Sequence, residues 1–382
     1  MPVIVQNPQL QGRMVYILHI LFFAKRRGIV NSEEIYLGVN RMAVKRVTMQ
    51  EIADACGLSR NTVSKIFNDR GAVPEATKKL VLQKAQELGY GQIPEDAPDA
   101  PEGSRNVALL TQHKLLSHNF GAFFITSFTD SICRAGYTMK MYEISPEEIA
   151  AKKLPPHLDL EDTAAVLCIE LFDKAYQEMV SMLGLPCVFV DGYANANRAI
   201  LNCDFVTMEN FAAVINMTDR MIDAGARRIG FVGDKEHCNS FSERWTGFVA
   251  AMTAKGLPID QALCILDPDG PEYGDDEWVL RKLEAMPAIP DGFVCANDFL
   301  AIHLMRALKM RGLRIPEDVM VTGFDGSPEA AIVEPKLTTA QINSTEIGRL
   351  ATVILLDRIQ NPEKPFRRLV EISPLLWGGT TR

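Results

Sequence analysis

Residues 57–67 read GLSRNTVSKIF, a helix-sized segment with Arg60, Asn61 and Lys65 crowded toward its start. The chain around it is acidic, with 382 residues, a formal net charge of −8 and a pI near 5.4. A cationic face on such a chain is either a solvated helix surface or one presented to something anionic, and its neighbours decide between the two. Just upstream, Thr48 and Glu51 make the S/T-x-x-E pattern of a capping box, which opens the helix MQEIADAC. Gly57 stops that helix, because glycine accepts the left-handed backbone that a helix end requires. Ser59 caps a second helix two residues later. Ile52, Ala53, Cys56, Leu58, Val63 and Ile66 supply a small shared core. A third helix starts near Pro74–Glu75, carries Val81, Ala85 and Leu88 at helical spacing, and closes at Gly89.

Two helices joined by a tight glycine-containing turn form a helix-turn-helix, whose second helix lies in the DNA major groove with its N-terminal residues at base edges. Here those residues are Arg60 and Asn61. Arginine can donate two bonds to guanine O6 and N7, and asparagine can pair with adenine N6 and N7. Ser59, Thr62 and Ser64 carry the short hydroxyls that bond phosphate oxygens, while Lys65 and Arg70 can neutralise phosphates. Between Met42 and Ile93 there are eight basic and five acidic residues, a local net charge of +3. The negative charge therefore sits elsewhere in the chain, as expected of a basic reader on an acidic body.

Outward from the head, residues 94–104, PEDAPDAPEGS, hold three prolines, four carboxylates and no apolar residue larger than alanine, a linker composition. From Asn106 the pattern changes. Short apolar runs (NVALLT, TMKMYEI, AAVLCI, PCVFV, RRIGFVGD, GFVCAND and DVMVTGFD) alternate with helical periodicity. Such runs indicate parallel strands buried on both faces, and the alternation predicts a doubly wound α/β architecture. About 275 residues exceed one comfortable core, so two subdomains with a cleft between them are expected. The predicted organisation is an extension over 1–41, a helix-turn-helix domain over 47–91, a linker over 92–105, and an effector-binding and dimerisation domain over 106–382.

The extension holds an apolar stretch, residues 14–24, too short to span a bilayer and followed rather than preceded by its basic run, unlike a signal peptide. It reads as an appendage, with MAVKRVTM from Met42 as a natural beginning. Eight cysteines without a C-x-x-C pair read as small hydrophobes in a reducing, cytoplasmic compartment, and six scattered histidines lack metal-ligand spacing. No cofactor or metal is expected. The chain lacks the P-loop, G-x-S-x-G, H-E-x-x-H and G-x-G-x-x-G patterns, so catalysis is not expected either. The alternative reading is a solute-binding protein or enzyme that shares the α/β core.

The string VTMQEIADACGLSRNTVSKIFND…VPEATKKLVLQKAQELGY resembles the DNA-binding head of the lactose-repressor (LacI/GalR) family of bacterial transcription regulators. The resemblance continues through HNFGAFFITSFTDSICRAGY, VTMENFAAVINMTDRMIDAGARRIGFVGD, SERWTGFVAAMTAKGL and FVCANDFLAIHLMRALKMRGLRIPEDVMVTGFDGSP to about residue 375. It implies an all-α helix-turn-helix head plus an α/β periplasmic-binding-protein-like core of two doubly wound subdomains. It also implies a cytoplasmic, ligand-responsive repressor that acts as a homodimer on a palindromic operator in double-stranded DNA, controlled by a small-molecule effector such as a sugar or related metabolite. The implied DNA contacts are Thr48, Ser59, Arg60, Asn61, Thr62, Ser64, Lys65 and Asn68.

In the effector domain, ligands of open α/β sheets sit beyond the carboxyl ends of strands. Asp325 follows VMVTGF and Asn297–Asp298 follows GFVCA. An aspartate there can accept paired hydroxyls, Arg244 offers a rigid fork of donors, and Phe120 offers an apolar platform. With Ser240 these make the implied effector site: Phe120, Ser240, Arg244, Asn297 and Asp325. Structural alternatives stand beside them: a helix cap for Asp325, a cap or brace for Asn297–Asp298, and a salt bridge within the cleft for Arg244. Trp245 and Trp278 read as packing residues. The chain departs from the family at Gly121, Ala226 and Gly326, and above all in the linker. There the usual hinge helix, whose leucine wedges into the minor groove, is replaced by Glu95, Asp96, Asp99 and Glu102. Major-groove reading without hinge intercalation follows as an expectation.

Overall fold

The computed structural model describes residues 48–67, 74–88, 104–112, 119–196 and 200–382. The N-terminal extension, Asn68, Arg70 and nearly all of the acidic linker lie outside the described residues. The chain divides into two compact units near Asp96.

The described residues of the first unit form three helices, α1 (Met49–Cys56), α2 (Arg60–Phe67) and α3 (Glu75–Leu88). Thr48 and Glu51 form a reciprocal capping box at the start of α1, with the Glu51 carboxylate accepting from Thr48 N at 2.8 Å. Gly57 ends α1 at φ +67°, a conformation in which a Cβ would be strained. Ser59 Oγ accepts from Thr62 N at 3.1 Å and so caps α2. Ile52, Ala53, Val63, Ile66, Val81 and Ala85 are buried together and hold the three helices as one body.

The second unit is built on two parallel sheets. The larger has the strands β1 (Asn106–Thr111), β2 (Thr138–Glu143), β3 (Ala165–Ile169), β4 (Cys187–Val190), β5 (Asp204–Met208) and β10 (Arg368–Glu371), in the order β2-β1-β3-β4-β5-β10. Every neighbouring pair is parallel. β3 and β4 are buried along their whole length, which is why they read as unbroken apolar runs. The smaller sheet has the order β6 (Ile229–Val232), β7 (Gly292–Cys295), β8 (Met320–Thr322). Single parallel bridges to Ile265 and Thr338 extend it on either side, so the doubly wound order of the first sheet recurs.

The chain passes between the subdomains three times. It leaves β5 for helix α7 (Phe211–Asp223), returns from the smaller sheet through helix α12 (Ser344–Gln360), and leaves β10 for β11 (Leu375–Leu376), which pairs with β9 (Thr339–Ala340). Helix α12 packs on α4 (Asn119–Arg134) so closely that a Cβ on Gly348 would stand 2.8 Å from Phe124 O. The guanidinium of Arg358 in α12 donates to both carboxylate oxygens of Asp204, at 2.7 and 3.1 Å, and fully buries that pair at the start of β5. Five of the eight cysteines are buried and Cys133 is exposed.

Candidate functional site

On the head, helix α2 sorts its residues by face. Val63 and Ile66 turn inward, while Arg60, Asn61 and Lys65 are exposed. Arg60 opens the helix, at the end whose unpaired backbone N–H groups favour an approaching phosphate. Ser59 and Thr62 bond each other through their hydroxyls at 2.8 Å, so both are engaged in the cap that orients Arg60 and Asn61. Thr48 is likewise engaged in the cap of α1, and Ser64 is half-buried.

In the core, Arg244 and Asp325 are brought together near strand ends. Helix α8 (Asn239–Ala254) brings Arg244 into the junction of the subdomains, where the residue is 2% exposed. Its Nε donates to Asn210 Oδ1 at 3.0 Å and its Nη1 to the Ala296 carbonyl at 2.6 Å. Nη1 also lies 3.6 Å from Asp325 Oδ1, and the guanidinium stacks 3.7 Å from the Phe324 ring centroid. Arg244 is thus both a cleft residue and part of a salt bridge. Asp325 follows β8 with φ +117°, a backbone that side chains rarely adopt and that surrounding structure must hold. Bonds from its N–H to Ala340 and from Ile342 N to its carbonyl do so.

Burial pushes the Asp325 carboxyl well above the usual carboxylate range; Arg244 opposes this, while the nearby Asp298 and Glu170 carboxylates add to it. Burial prevails because Arg244 is already committed to two other acceptors and stands beyond hydrogen-bond distance. The Asp325 side chain keeps 35% of its surface open, so it lines a recess rather than a sealed core.

Asn297 serves as the cap of helix α10 (Asp298–Met310), accepting from Leu300 N at 2.9 Å. Asp298 is a brace: its carboxylate accepts from Ser327 N at 2.7 Å and from Thr339 Oγ1 at 2.6 Å. Ser240 is buried, with its N–H 3.3 Å from Asp191 Oδ2 and its hydroxyl turned to Met208 Sδ. Phe120 lies half-buried at the start of α4, stacked at 6.2 Å on Phe124. Trp245 and Trp278 pack edge-on against Phe231 and Tyr273.

Three groups at this junction escaped the sequence reading. Glu170 directly follows β3 and Asp191 directly follows β4, both at positive φ (48° and 63°), and Asn210 follows β5. Burial raises the Glu170 carboxyl to about 7. Asp191 is raised too, by burial first, against bonds from Ser240 and the charge of Arg244. A usable signal was present, since each acid directly follows a buried apolar run and so stands at a strand's carboxyl end. Asn210 Nδ2 also donates to Glu243 Oε2 at 2.9 Å. Beside it opens a cavity of about 360 Å³ bordered by Asn195, Asn210, Ser242, Glu243, Arg368 and Val370, separate from the Arg244–Asp325 recess. Among the described residues no group of acids, histidines and cysteines could hold a metal ion, and no helix is long and apolar enough to cross a membrane.

Residues 48–92 match the family described as bacterial regulatory proteins, lacI family, and residues 218–381 match a periplasmic binding protein-like domain. The chain carries a lacI-family DNA-binding head followed by a periplasmic binding protein-like domain. Curated relatives include the HTH-type transcriptional repressor PurR of Vibrio parahaemolyticus (29% identical over 340 residues) and the HTH-type transcriptional regulator CelR of Thermobifida fusca (27% over 339). Both alignments span 86% of this chain and 96% of the relative. A solved CelR–cellobiose complex aligns with a TM-score of 0.64 at 25% identity, covering 88% of this chain and all of that one. The lac repressor dimer bound to operator shares the fold, with a TM-score of 0.63 at 19% identity over 88% of this chain. By its likeness to these relatives the chain is a DNA-binding transcriptional regulator and not an enzyme.

Proposed function

We propose that this regulator is a cytoplasmic homodimer that represses transcription from a palindromic operator. A small polar metabolite, a sugar or a close relative, would shift its affinity for DNA. Two heads related by a two-fold axis read two half-sites, and Arg60 and Asn61 make the base contacts. Ser59, Thr62, Ser64, Lys65 and Asn68 contribute phosphate contacts, with Thr48 beside them. The observation that carries the effector half is the Arg244–Asp325 pair at 3.6 Å, a fork of donors facing a strained carboxylate where both sheets end. Such a pair reads hydroxyls in two directions, and a ligand touching both subdomains can favour one of their arrangements. The head over 47–91 and the effector domain over 106–382 divide these tasks.

An operator selected from a random duplex pool tests the reading. Affinity should fall steeply with salt, and a metabolite that stabilises the purified protein against heat should change operator affinity at least fivefold. Salt-insensitive binding, or a stabilising ligand without effect on DNA, would sink it.

A further inference from the structure

The cleft holds more carboxylates than its described cation can balance. Glu170, Asp191 and Asp325 stand at the carboxyl ends of β3, β4 and β8, with Asp298 behind them. Arg244 is the one cation that the described residues place among them, and two of its three nitrogens already serve Asn210 and Ala296. The Glu170 carboxylate has no hydrogen-bond or ion-pair partner among the described residues. Oδ1 of Asp191, on a residue only 7% exposed, accepts no hydrogen bond either. Aromatic rings cluster near Arg244, with Phe241 5.7 Å from its guanidinium. Phe172, two residues past Glu170, meets His237 edge-on at 5.0 Å, and Phe241 meets the same imidazole at 5.2 Å, joining the subdomains at the rim.

We propose that the effector is a small cation, a hydroxylated molecule with one protonated nitrogen of the amino-sugar or amino-polyol class, whose ammonium lies between Glu170 and Asp325. This rests on the reading of the cleft as the effector site. An anionic ligand would bring its charge up to Glu170, Asp191 and Asp325, whose ionisation burial already opposes. A neutral sugar can donate hydroxyls to these carboxylates, but it does not offset the cost of keeping two neighbouring buried acids ionised. An ammonium does so directly, with up to three charge-assisted bonds. The ligand's hydroxyls then meet the free nitrogen of Arg244 and the rim near Asn297.

The test is calorimetric titration of the full chain with matched pairs: glucosamine and glucose, galactosamine and galactose, 1-amino-1-deoxysorbitol and sorbitol. The expected result is at least one amine binding tenfold or more tightly than its neutral partner. Glu170→Gln should bring that pair within threefold, whereas Glu170→Asp, which keeps the charge, should retain a clear preference for the amine. If Glu170→Gln proves misfolded by circular dichroism, the Glu170→Asp variant and the wild-type preference still decide the matter. Neutral members binding as well as the amines would overturn the charge assignment and leave the cleft as an effector site. Binding of no member of any pair would overturn both.

Discussion

Glu243 on helix α8 and Arg368 on strand β10 form an ion pair at 2.7 Å that ties the two subdomains beside the chain crossings. Arg368 Nε also donates to Thr207 Oγ1 at 2.8 Å, which fixes the guanidinium to the larger sheet. From Glu243 the contacts run through Asn210 to Arg244, and so from the hinge into the cleft. Both partners are mostly buried, so the pair escapes much of the screening that weakens surface bridges. Arg368→Met should loosen this junction by roughly 1–3 kcal/mol, the usual range for a charge-assisted bond. Hydrogen exchange at Met208–Phe211 should rise at least fivefold while exchange in β3 stays unchanged. An unaltered exchange pattern would show that the pair carries no hinge stability.

Asp298 should prove a structural acid. It accepts two hydrogen bonds from elements far apart in sequence, and a Cβ on Gly323 would overlap its Oδ1, so the strand is shaped around it. Asp298→Ala strands the Ser327 N–H and should cost roughly 2–4 kcal/mol in denaturant unfolding. Asp298→Asn keeps an acceptor for Ser327 and a donor for Thr339, and removes an acid whose ionisation burial already opposes, raising it to about 6. It should cost less than half as much. Equal losses for the two variants would show that charge, rather than hydrogen bonding, matters there.

Stability of the effector domain should fall as pH rises from 5 to 8. Glu170 titrates near its usual 4.5 in the unfolded chain but at about 7 in the folded one. Between those values the folded state holds the extra proton, so ionising the group opposes folding and its contribution is lost as pH climbs through 7. Asp325 shifts in the same direction and adds to the trend. Acids with lowered values, such as Asp318 at about 2, complete their titration below this window. The expected drop for Glu170 is on the order of 2 kcal/mol, a few degrees of melting temperature. In Glu170→Gln the slope should flatten, and an unchanged slope would remove Glu170 as its source.

Local chemistry made much of this fold readable. Thr48, Glu51 and Gly57 act within one turn of themselves, so their roles in bounding α1 need no knowledge of the rest of the chain. The runs that became β3 and β4 are apolar on both faces because both faces are covered. β5 was harder. It contains Asp204 and Thr207, and Asp204 can lie in a buried strand only because Arg358, 154 residues later, clamps it. No periodicity reveals such a partner. The cleft divides in the same way: Arg244 and Asp325 stand in strings with a recognisable pattern, whereas Glu170, Asp191 and Asn210 become a group only when three separate strand ends are brought together.

The reading helix gives the last prediction. Arg60 is exposed at the first position of α2, on a face away from the buried Val63 and Ile66, so it can be shortened without opening the core of the head. If its guanidinium forks onto a guanine, Arg60→Ala should lose roughly 1–3 kcal/mol on the preferred operator and relax selectivity at one base pair in each half-site. Lys65 is exposed one turn further along the helix, where a phosphate contact is expected. Lys65→Ala should weaken all sequences about equally and reduce the slope of log affinity against log salt by about 1. Fluorescence anisotropy on a selected operator and its single-base variants, at several salt concentrations, separates the two behaviours. Uniform weakening by Arg60→Ala, with base preferences intact, would move Arg60 from base reading to phosphate anchoring and pass the specificity role to Asn61.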